Sequence, residues 1–230
     1  MKKLLITAMC IVVLSSAKSQ TYLQGGVNLA NITQTTSGET QDNNLLAIFN
    51  AGILGRFNLS TPVDLETGLL LEGRGAKANS YFGSTNDDNY VKAKFNPLYL
   101  EVPLNLVIRF PFENGCNLFV NAGPYAAIGI AGKSKTESSV LGIKSTSAAN
   151  IKFSNDDPFT SQQDDAAYDK IKRFDFGLNF GGGLDFGKIL LKVNYGYGLT
   201  KINSTQSNNG ADDKNKYRTL SISLGIPLKS

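Results

Sequence analysis

The chain has 230 residues, of which 41% are hydrophobic, a formal net charge of +4 and no histidine. The absence of histidine excludes catalytic schemes in which an imidazole activates a serine or a water molecule. Only Cys116 would remain after loss of an N-terminal leader that carries Cys10, so no disulfide could form within the mature chain.

The N-terminal segment has the layout of a secretory signal peptide. Lys2 and Lys3 precede an apolar run over 4–14, and small residues follow it before Gln20. This run is shorter than the roughly 20 apolar residues of a membrane-spanning helix. We therefore predict a signal peptide over 1–19 and one β-barrel domain over 20–230.

Loss of this leader would also change the charge of the protein. It removes three lysines and no acids, so the net charge falls from +4 to about +1. The apparent basicity belongs to the leader, and nothing in the remaining composition indicates nucleic-acid binding, which needs a clustered basic face.

After the leader, apolar and polar residues alternate, which is typical of a β-strand with two different faces. The clearest case runs from Phe174 to Phe186, where phenylalanine and leucine alternate with aspartate, asparagine and glycine. No later apolar run is long enough for a membrane helix, so a membrane-embedded chain would cross with strands. We predict strands over 22–32, 46–59, 63–74, 98–110, 117–132, 174–186, 189–202 and 217–228.

The connections between these strands alternate in length. Long polar segments over 33–44, 75–96, 133–173 and 203–216 alternate with short ones over 60–62, 111–115 and 187–188. Bacterial outer-membrane barrels have long outer loops and short periplasmic turns. We therefore predict an all-β fold, an eight-stranded antiparallel up-and-down transmembrane β-barrel. It would be a monomer in the cell outer membrane, surrounded by outer-membrane lipid after signal-peptide cleavage.

Two turns predict strand register. A two-residue turn at 187–188 would place Leu184 opposite Leu191 and Gly183 opposite Lys192, so that apolar residues meet on one face and polar residues on the other.

A turn centred on residue 113 would place Pro103 opposite Gly123. Because proline cannot donate a ladder hydrogen bond, we expect a bulge or a gap in the ladder there.

Charged residues on the polar faces share their rows with glycines, which suits the narrow lumen of an eight-stranded barrel. We predict that they form a structural network of paired ions, with Arg56 beside Glu66 and Asp185 near Lys192. A secreted soluble barrel or sandwich is the alternative, with its apolar face turned inward. The predicted network consists of Arg56, Glu66, Glu72, Arg74, Glu101, Arg109, Asp185 and Lys192.

Four segments of the predicted strands have distinctive sequences: GVNLANI over 26–32, YLEVPLNL over 99–106, NAGPY over 121–125 and YGYGLTKI over 195–202. Together they resemble the PorT-type outer-membrane β-barrel family of Bacteroidota. The resemblance implies a barrel and, because the namesake of the family belongs to the type IX secretion machinery, a component of a secretion or envelope assembly system as one function. The shared motifs are strand motifs, which any barrel of the family would need.

The sequence does not indicate a catalytic, cofactor or metal site. A paired-carboxylate site among Glu66, Glu72, Glu101 and Asp185 stays formally open. Acidic pairs at 156–157, 164–165 and 212–213 suggest a hard cation but lack the spacing of a calcium loop. We expect no enzyme activity and a structural or interaction role, with the loop over 133–173 recognising an extracellular or envelope protein.

Overall fold

The computed structural model describes residues 19–36, 39–41, 45–82, 89–112, 115–159, 170–202 and 214–228. Residues 1–18 of the leader predicted over 1–19 and the acidic pairs at 164–165 and 212–213 lie outside these residues. In the described parts of the chain, no helix is long and apolar enough to span a membrane.

The strands are β1 (Ser19–Thr36), β2 (Glu39–Gln41), β3 (Leu46–Ser60), β4 (Val63–Gly73), β5 (Ala76–Tyr81), β6 (Tyr90–Pro111), β7 (Asn117–Val140), β8 (Ile143–Asn150), β9 (Lys152–Ser154), β10 (Lys170–Lys172), β11 (Phe174–Asp185), β12 (Leu190–Gly198) and β13 (Lys214–Pro227).

Eight of these strands form a closed ring. In order around the barrel they are β1, β3, β4, β6, β7, β11, β12 and β13, and all neighbouring pairs are antiparallel. The ring closes where β1 pairs with β13. The predicted eight-stranded antiparallel up-and-down barrel is therefore confirmed.

The faces of the strands are those of a membrane barrel. Val27 and Ile53 are each 50% exposed on the outer surface. Asn28, the next residue after Val27 on β1, points to the lumen and is fully buried. A soluble barrel would turn its apolar face inward, so this arrangement decides against that alternative.

Three strands are much longer than predicted. β6 has 22 residues and β7 has 24, and both continue past the barrel to pair with the short strands β5 and β8. The extension of β7 and the whole of β8 are mostly Ser, Thr, Lys and Ala, which show no alternation in hydrophobicity. On β6, apolar residues and lysines do alternate over 91–95, but this run is short and lies before the predicted start of the strand at 98. β1 is also longer than predicted, and β12 ends at Gly198, before the predicted limit of 202.

The register of the β11–β12 hairpin is confirmed. Leu184 pairs with Leu191 and Gly183 with Lys192.

The expected partner of Pro103 is wrong, although the expected gap is present. Pro103 pairs with Tyr125 rather than with Gly123, because the turn is centred one residue later than predicted. The β6–β7 ladder then lacks pairs until Leu106, and the β4–β6 ladder is interrupted between Leu104 and Glu101. A Cβ at Gly123 would lie 2.0 Å from the Leu104 carbonyl oxygen, so the strands approach too closely there for any side chain.

Cys116 provides a test of orientation. It is a free, half-buried cysteine next to the short turn between β6 and β7, and its carbonyl oxygen accepts a hydrogen bond from the Phe112 N–H at 2.9 Å. Because short turns face the periplasm, a membrane-impermeant maleimide should leave Cys116 unlabelled on intact cells and should label it after permeabilisation. In a Cys116→Ser background, Ser145→Cys on β8 should be labelled on intact cells. The reverse pattern would invert the barrel.

Candidate functional site

The lumen contains two clusters of charged side chains. The first, which we call the lower cluster, surrounds Glu66, whose side chain is fully buried. Its carboxylate accepts hydrogen bonds from Tyr22 Oη at 2.5 Å, Arg56 Nε at 2.9 Å and Asn105 Nδ2 at 3.2 Å. Lys192 Nζ donates to the same carboxylate and forms an ion pair with it. The Glu66 carboxylate thus forms ion pairs with two cations, Arg56 on β3 and Lys192 on β12, from different parts of the barrel wall.

Arg56 connects this cluster to β11. Its Nη1 atom lies 3.8 Å from the Asp185 carboxylate, and its guanidinium carbon lies 4.1 Å from the centroid of the Phe119 ring. Asp185 also accepts a hydrogen bond from the Gly187 N–H at 2.8 Å, within its own turn. The register places Asp185 diagonal to Lys192 on the neighbouring strand, and the Lys192 side chain crosses the lumen to pair with Glu66.

The upper cluster is centred on Arg74, directly after β4. The two terminal nitrogens of Arg74 form ion pairs with Glu101 and Asp175. Tyr125 Oη donates to Asp175 at 2.9 Å, and Asn179 Nδ2 donates to Glu101 at 2.9 Å. This buried arginine therefore neutralises two carboxylates, and neighbouring polar side chains satisfy the remaining oxygen atoms.

Aromatic rings enclose the Arg74 guanidinium. Its central carbon lies 4.7 Å from the ring centroid of Tyr125, 5.1 Å from that of Tyr99 and 5.8 Å from that of Tyr217. The hydroxyl oxygens of Tyr99 and Tyr217 are 3.3 Å apart and share a hydrogen bond. Cation–π contacts of this kind are strongest where water is excluded.

An apolar layer lies between the upper cluster and the loops, and we call it the loop-end plug. Three of its isoleucines come from outside the barrel strands, and they pack on the tyrosines of the upper cluster. Phe95 and Phe153 pack against it. The plug therefore separates the charged lumen from the loop side. Its buried members are Ile32, Ala76, Tyr99, Tyr125, Ala127, Ile151, Ile171, Ile202 and Tyr217.

Glu72 lies between the two clusters and belongs to neither. Its carboxylate accepts a hydrogen bond from Asn28 Nδ2, and Asn28 Oδ1 in turn accepts one from Asn50 Nδ2 at 2.6 Å. Ser223 Oγ donates to Asn50 at 3.0 Å and completes the chain. Beside Glu72 lies a small polar cavity of about 20 Å³, also lined by Glu101 and other side chains of both clusters. Its polar walls suit bound water.

Arg109 does not belong to the interior network. It pairs with Asp64 at the turn end of the barrel, with 2.6 Å between Nε and the carboxylate, and its side chain is 34% exposed. Arg109 lies near the end of β6, where solvent reaches its side chain. The prediction that Arg109 neutralises a partner in the packed interior is wrong, because its ion pair with Asp64 lies at the turn end of the barrel.

Several members of these clusters are absent from the predicted network. Asp175, Tyr125 and Thr200 complete the upper cluster, and Tyr22 and Asn105 complete the lower one. Alternation places Asp175 on the same polar row as Asp185, so that signal was present. The tyrosines gave no such signal, because an inward tyrosine looks like an ordinary aromatic in a sheet.

The acidic pair at 156–157 has a structural explanation. Asp157 Oδ1 accepts a hydrogen bond from the Phe159 N–H at 2.9 Å and its carbonyl oxygen accepts one from Lys172 Nζ at 2.8 Å. In the described parts of the chain, no group of three or more acidic, cysteine or histidine side chains could hold a metal ion.

Above the barrel, β5, β6, β7 and β8 form a four-stranded antiparallel sheet, which we call the loop-end sheet. It corresponds to parts of the predicted loops over 75–96 and 133–173. Every residue of β8 is exposed. The sheet therefore projects a backbone surface beyond the membrane-embedded wall.

The tip of this sheet is a two-residue turn with an unusual residue. Leu141 has a φ of 52° and Gly142 a φ of 79°, between the closing pair Val140 and Ile143. Such turns favour Asn-Gly, because both central residues are left-handed. Asn89 Oδ1 accepts a hydrogen bond from the Leu141 N–H at 2.7 Å and fixes the turn. The leucine side chain is 84% exposed.

Residues 16–204, which include most of the barrel, match the family model described as outer membrane protein beta-barrel domain. The chain belongs to this outer-membrane β-barrel family. It is accordingly a protein of the outer membrane, as predicted.

Three solved structures are similar to this outer-membrane barrel. Ail, the attachment invasion locus protein of Yersinia pestis, in complex with the heparin analogue sucrose octasulfate, has 14% sequence identity, with 91% of this chain and 99% of that chain covered and a TM-score of 0.40. Neisserial surface protein A has 10% identity, coverages of 90% and 97%, and a TM-score of 0.38. The N-terminal barrel domain of Pseudomonas aeruginosa OprF has 9% identity, coverages of 92% and 100%, and a TM-score of 0.33. No curated protein matches the chain in sequence.

Proposed function

We propose that this outer-membrane barrel is a monomeric, non-enzymatic interaction protein that presents its loop-end sheet to an extracellular or envelope protein. The observation that carries the proposal is the tip of the sheet. Val140 is 61% exposed, Leu141 84% and Ile143 77%, so three aliphatic side chains extend into solvent together. Clusters of this kind mark interaction sites when they are held on a rigid scaffold.

The backbone at the tip supports this role. A left-handed conformation costs a non-glycine residue about 1 to 3 kcal/mol, and such positions cluster at functional sites. Asparagine would relieve the strain and would also remove the apolar side chain. The turn therefore presents a leucine at a cost in stability.

The lumen is consistent with a scaffold. Glu66, Glu101 and Asp185 each contact a buried cation, and Glu72 is held by Asn28. The loop-end plug packs over the upper cluster, so a substrate that enters from the loop side would have to displace it. We therefore propose that the paired-carboxylate arrangement has a structural role, with no cofactor.

Leu141→Asn tests the proposal without removing the sheet. We expect the refolded barrel to be at least as stable as the wild type, because asparagine tolerates this conformation. We expect its affinity for the partner to fall roughly 10-fold or more, the loss expected when a leucine of an interface is removed. A photo-crosslinking amino acid at position 141 on intact cells, with position 120 on the lipid-facing wall as the control, should identify the partner.

The crosslinked species also separates two roles. The resemblance to PorT-type barrels supports the second candidate, a component of a type IX-like secretion or envelope assembly system. Secretion-system proteins bound at position 141 would favour it, and a soluble extracellular protein would favour the first role. If only lipid crosslinks at position 141, and Leu141→Asn leaves partner affinity unchanged, the tip is not the recognition element.

A further inference from the structure

One face of the loop-end sheet carries a row of lysines. Lys77 on β5 lies directly opposite Lys94 on β6, and Lys94 lies directly opposite Lys135 on β7. Directly opposed residues of antiparallel strands point to the same side of the sheet, and like charges in this arrangement are destabilising. No acidic side chain among the described residues forms an ion pair with Lys77 or Lys94. The fold therefore retains a repulsion that a neutral residue would remove.

Three more lysines share this face, which we call the lysine face. The register places Lys92, Lys133 and Lys144 on it, beside or diagonal to the first row. In the part of the four strands that lies above the barrel, over 76–81, 90–97, 132–140 and 143–150, Glu137 is the single acid, and its carboxylate lies 4.0 Å from Lys135 Nζ. Tyr90 Oη donates a hydrogen bond to Glu137 at 2.7 Å, which lowers the pKa of that carboxyl. The face thus holds six lysines against one ionised acid.

The lysine face continues the lipid-facing surface of the barrel. On β7 the outward residues are apolar up to Ile130, which is 50% exposed. The β6–β7 register shifts by one residue there, so Lys133 and Lys135 follow on the same outer surface. On β6 the last apolar outward residue is Leu98, and Asn96 and Lys94 follow it. The opposite face of the sheet turns inward, since Phe95 packs against the loop-end plug. The outer surface of the sheet therefore changes from apolar side chains to lysines as the strands leave the barrel.

The height of this change matches the edge of a membrane. A barrel strand tilted by about 40° advances roughly 2.5 Å along the barrel axis per residue, so Lys94 lies about 10 Å beyond Leu98. The headgroup layer extends roughly 5 to 8 Å beyond the hydrocarbon on each side. The first lysine row therefore lies at the outer boundary of this layer, from which a long lysine side chain can reach the phosphates.

We propose that the lysine face binds the phosphate groups of anionic lipid headgroups in the outer leaflet. Clustered lysines next to a membrane-spanning segment bind anionic lipid. The row of Lys77, Lys94 and Lys135 lies below the tip of the sheet, near the membrane surface, which favours lipid over a soluble polyanion. The proposal is independent of the partner of the tip. The net charge of about +1 predicted after loss of the leader gives no indication of this basic face, because acids elsewhere in the chain, five of them in the lumen, offset the lysines.

The test compares the wild type with the triple variant Lys77→Gln/Lys94→Gln/Lys135→Gln. Both barrels are refolded in a neutral detergent and titrated with diphosphorylated lipid A, and bound lipid is counted by native mass spectrometry. At about fivefold per lysine, we expect the triple variant to bind roughly a hundredfold more weakly. Lys77→Arg/Lys94→Arg/Lys135→Arg should bind like the wild type, and lipid A without phosphates should bind the wild type as weakly as it binds the glutamine variant.

Two controls make the result decisive. Lys188→Gln, in the exposed turn at the opposite end of the barrel, should leave lipid A binding unchanged. Heat-modifiable gel migration should show that the glutamine variant is folded and at least as stable as the wild type in neutral detergent, because the repulsion is gone. Equal lipid A binding by the wild type and the glutamine variant overturns the proposal. So does a glutamine variant that loses only heparin binding, since this would assign the face to a soluble polyanion.

Discussion

Replacing Glu66 by alanine is expected to lower the free energy of unfolding by roughly 3 to 5 kcal/mol, the cost of removing one partner from a buried ion pair. Glu66 accepts hydrogen bonds from both Arg56 and Lys192, and all three side chains are buried. The substitution leaves two cations without a carboxylate in the lumen. Urea titration of the refolded barrel in detergent, with heat-modifiable migration as a second readout, measures the loss.

Asp64→Asn is the matched control for this experiment. Asp64 also pairs with an arginine, but Arg109 is 34% exposed at the turn end. Solvent screens such a pair, so we expect a loss of about 0 to 1 kcal/mol. Similar losses for Glu66→Ala and Asp64→Asn would show that the lower cluster is not a desolvated network.

Arg74→Met is the second substitution for which we expect a large loss, again roughly 3 to 5 kcal/mol. It removes the cation that Glu101 and Asp175 share and leaves two carboxylates close together in the upper cluster. It also removes the cation–π contacts with Tyr99, Tyr125 and Tyr217, since a thioether carries no charge. The same urea titration measures this loss.

The triple variant Arg74→Met/Glu101→Gln/Asp175→Asn separates charge from packing. Replacing a whole buried ion network by neutral groups of similar volume is often tolerated. The triple variant should therefore recover most of the stability that Arg74→Met alone loses. A triple variant as unstable as the single one would assign the effect to lost packing around the guanidinium instead of to unpaired carboxylates.

Alternation was sufficient to predict the barrel because each embedded residue faces either lipid or lumen. The run from Phe174 to Phe186 gives the clearest example, and the register of Leu184 with Leu191 followed from the turn alone. Above the membrane this constraint disappears. Every residue of β8 is exposed, so both of its faces meet solvent and hydrophobic alternation gives no strand signal there. The predicted connection over 133–173 therefore contains the extension of β7 and the whole of β8.

The ion pairs were predictable only where they are local. Arg56 and Glu66 face each other across one hairpin, and turn geometry is enough to place them together. Lys192 and Glu66 are far apart in sequence and meet across the lumen, which depends on the closure of the ring and on the length of the lysine side chain. Arg74 and Asp175 meet in the same way, so strand pattern alone could not pair them.

The loop-end plug determines how this protein can be used to display foreign peptides on a cell. Ile151, Ile171 and Ile202 lie outside the eight wall strands, yet they are buried on the tyrosines beneath. An insertion that displaces any of them would uncover the lumen. Gly142, where an added Cβ would meet no atom within 4 Å, lies at the tip and away from this anchor. A cassette inserted at the tip should therefore leave the barrel intact, whereas exchange of a complete loop would have to keep its isoleucine.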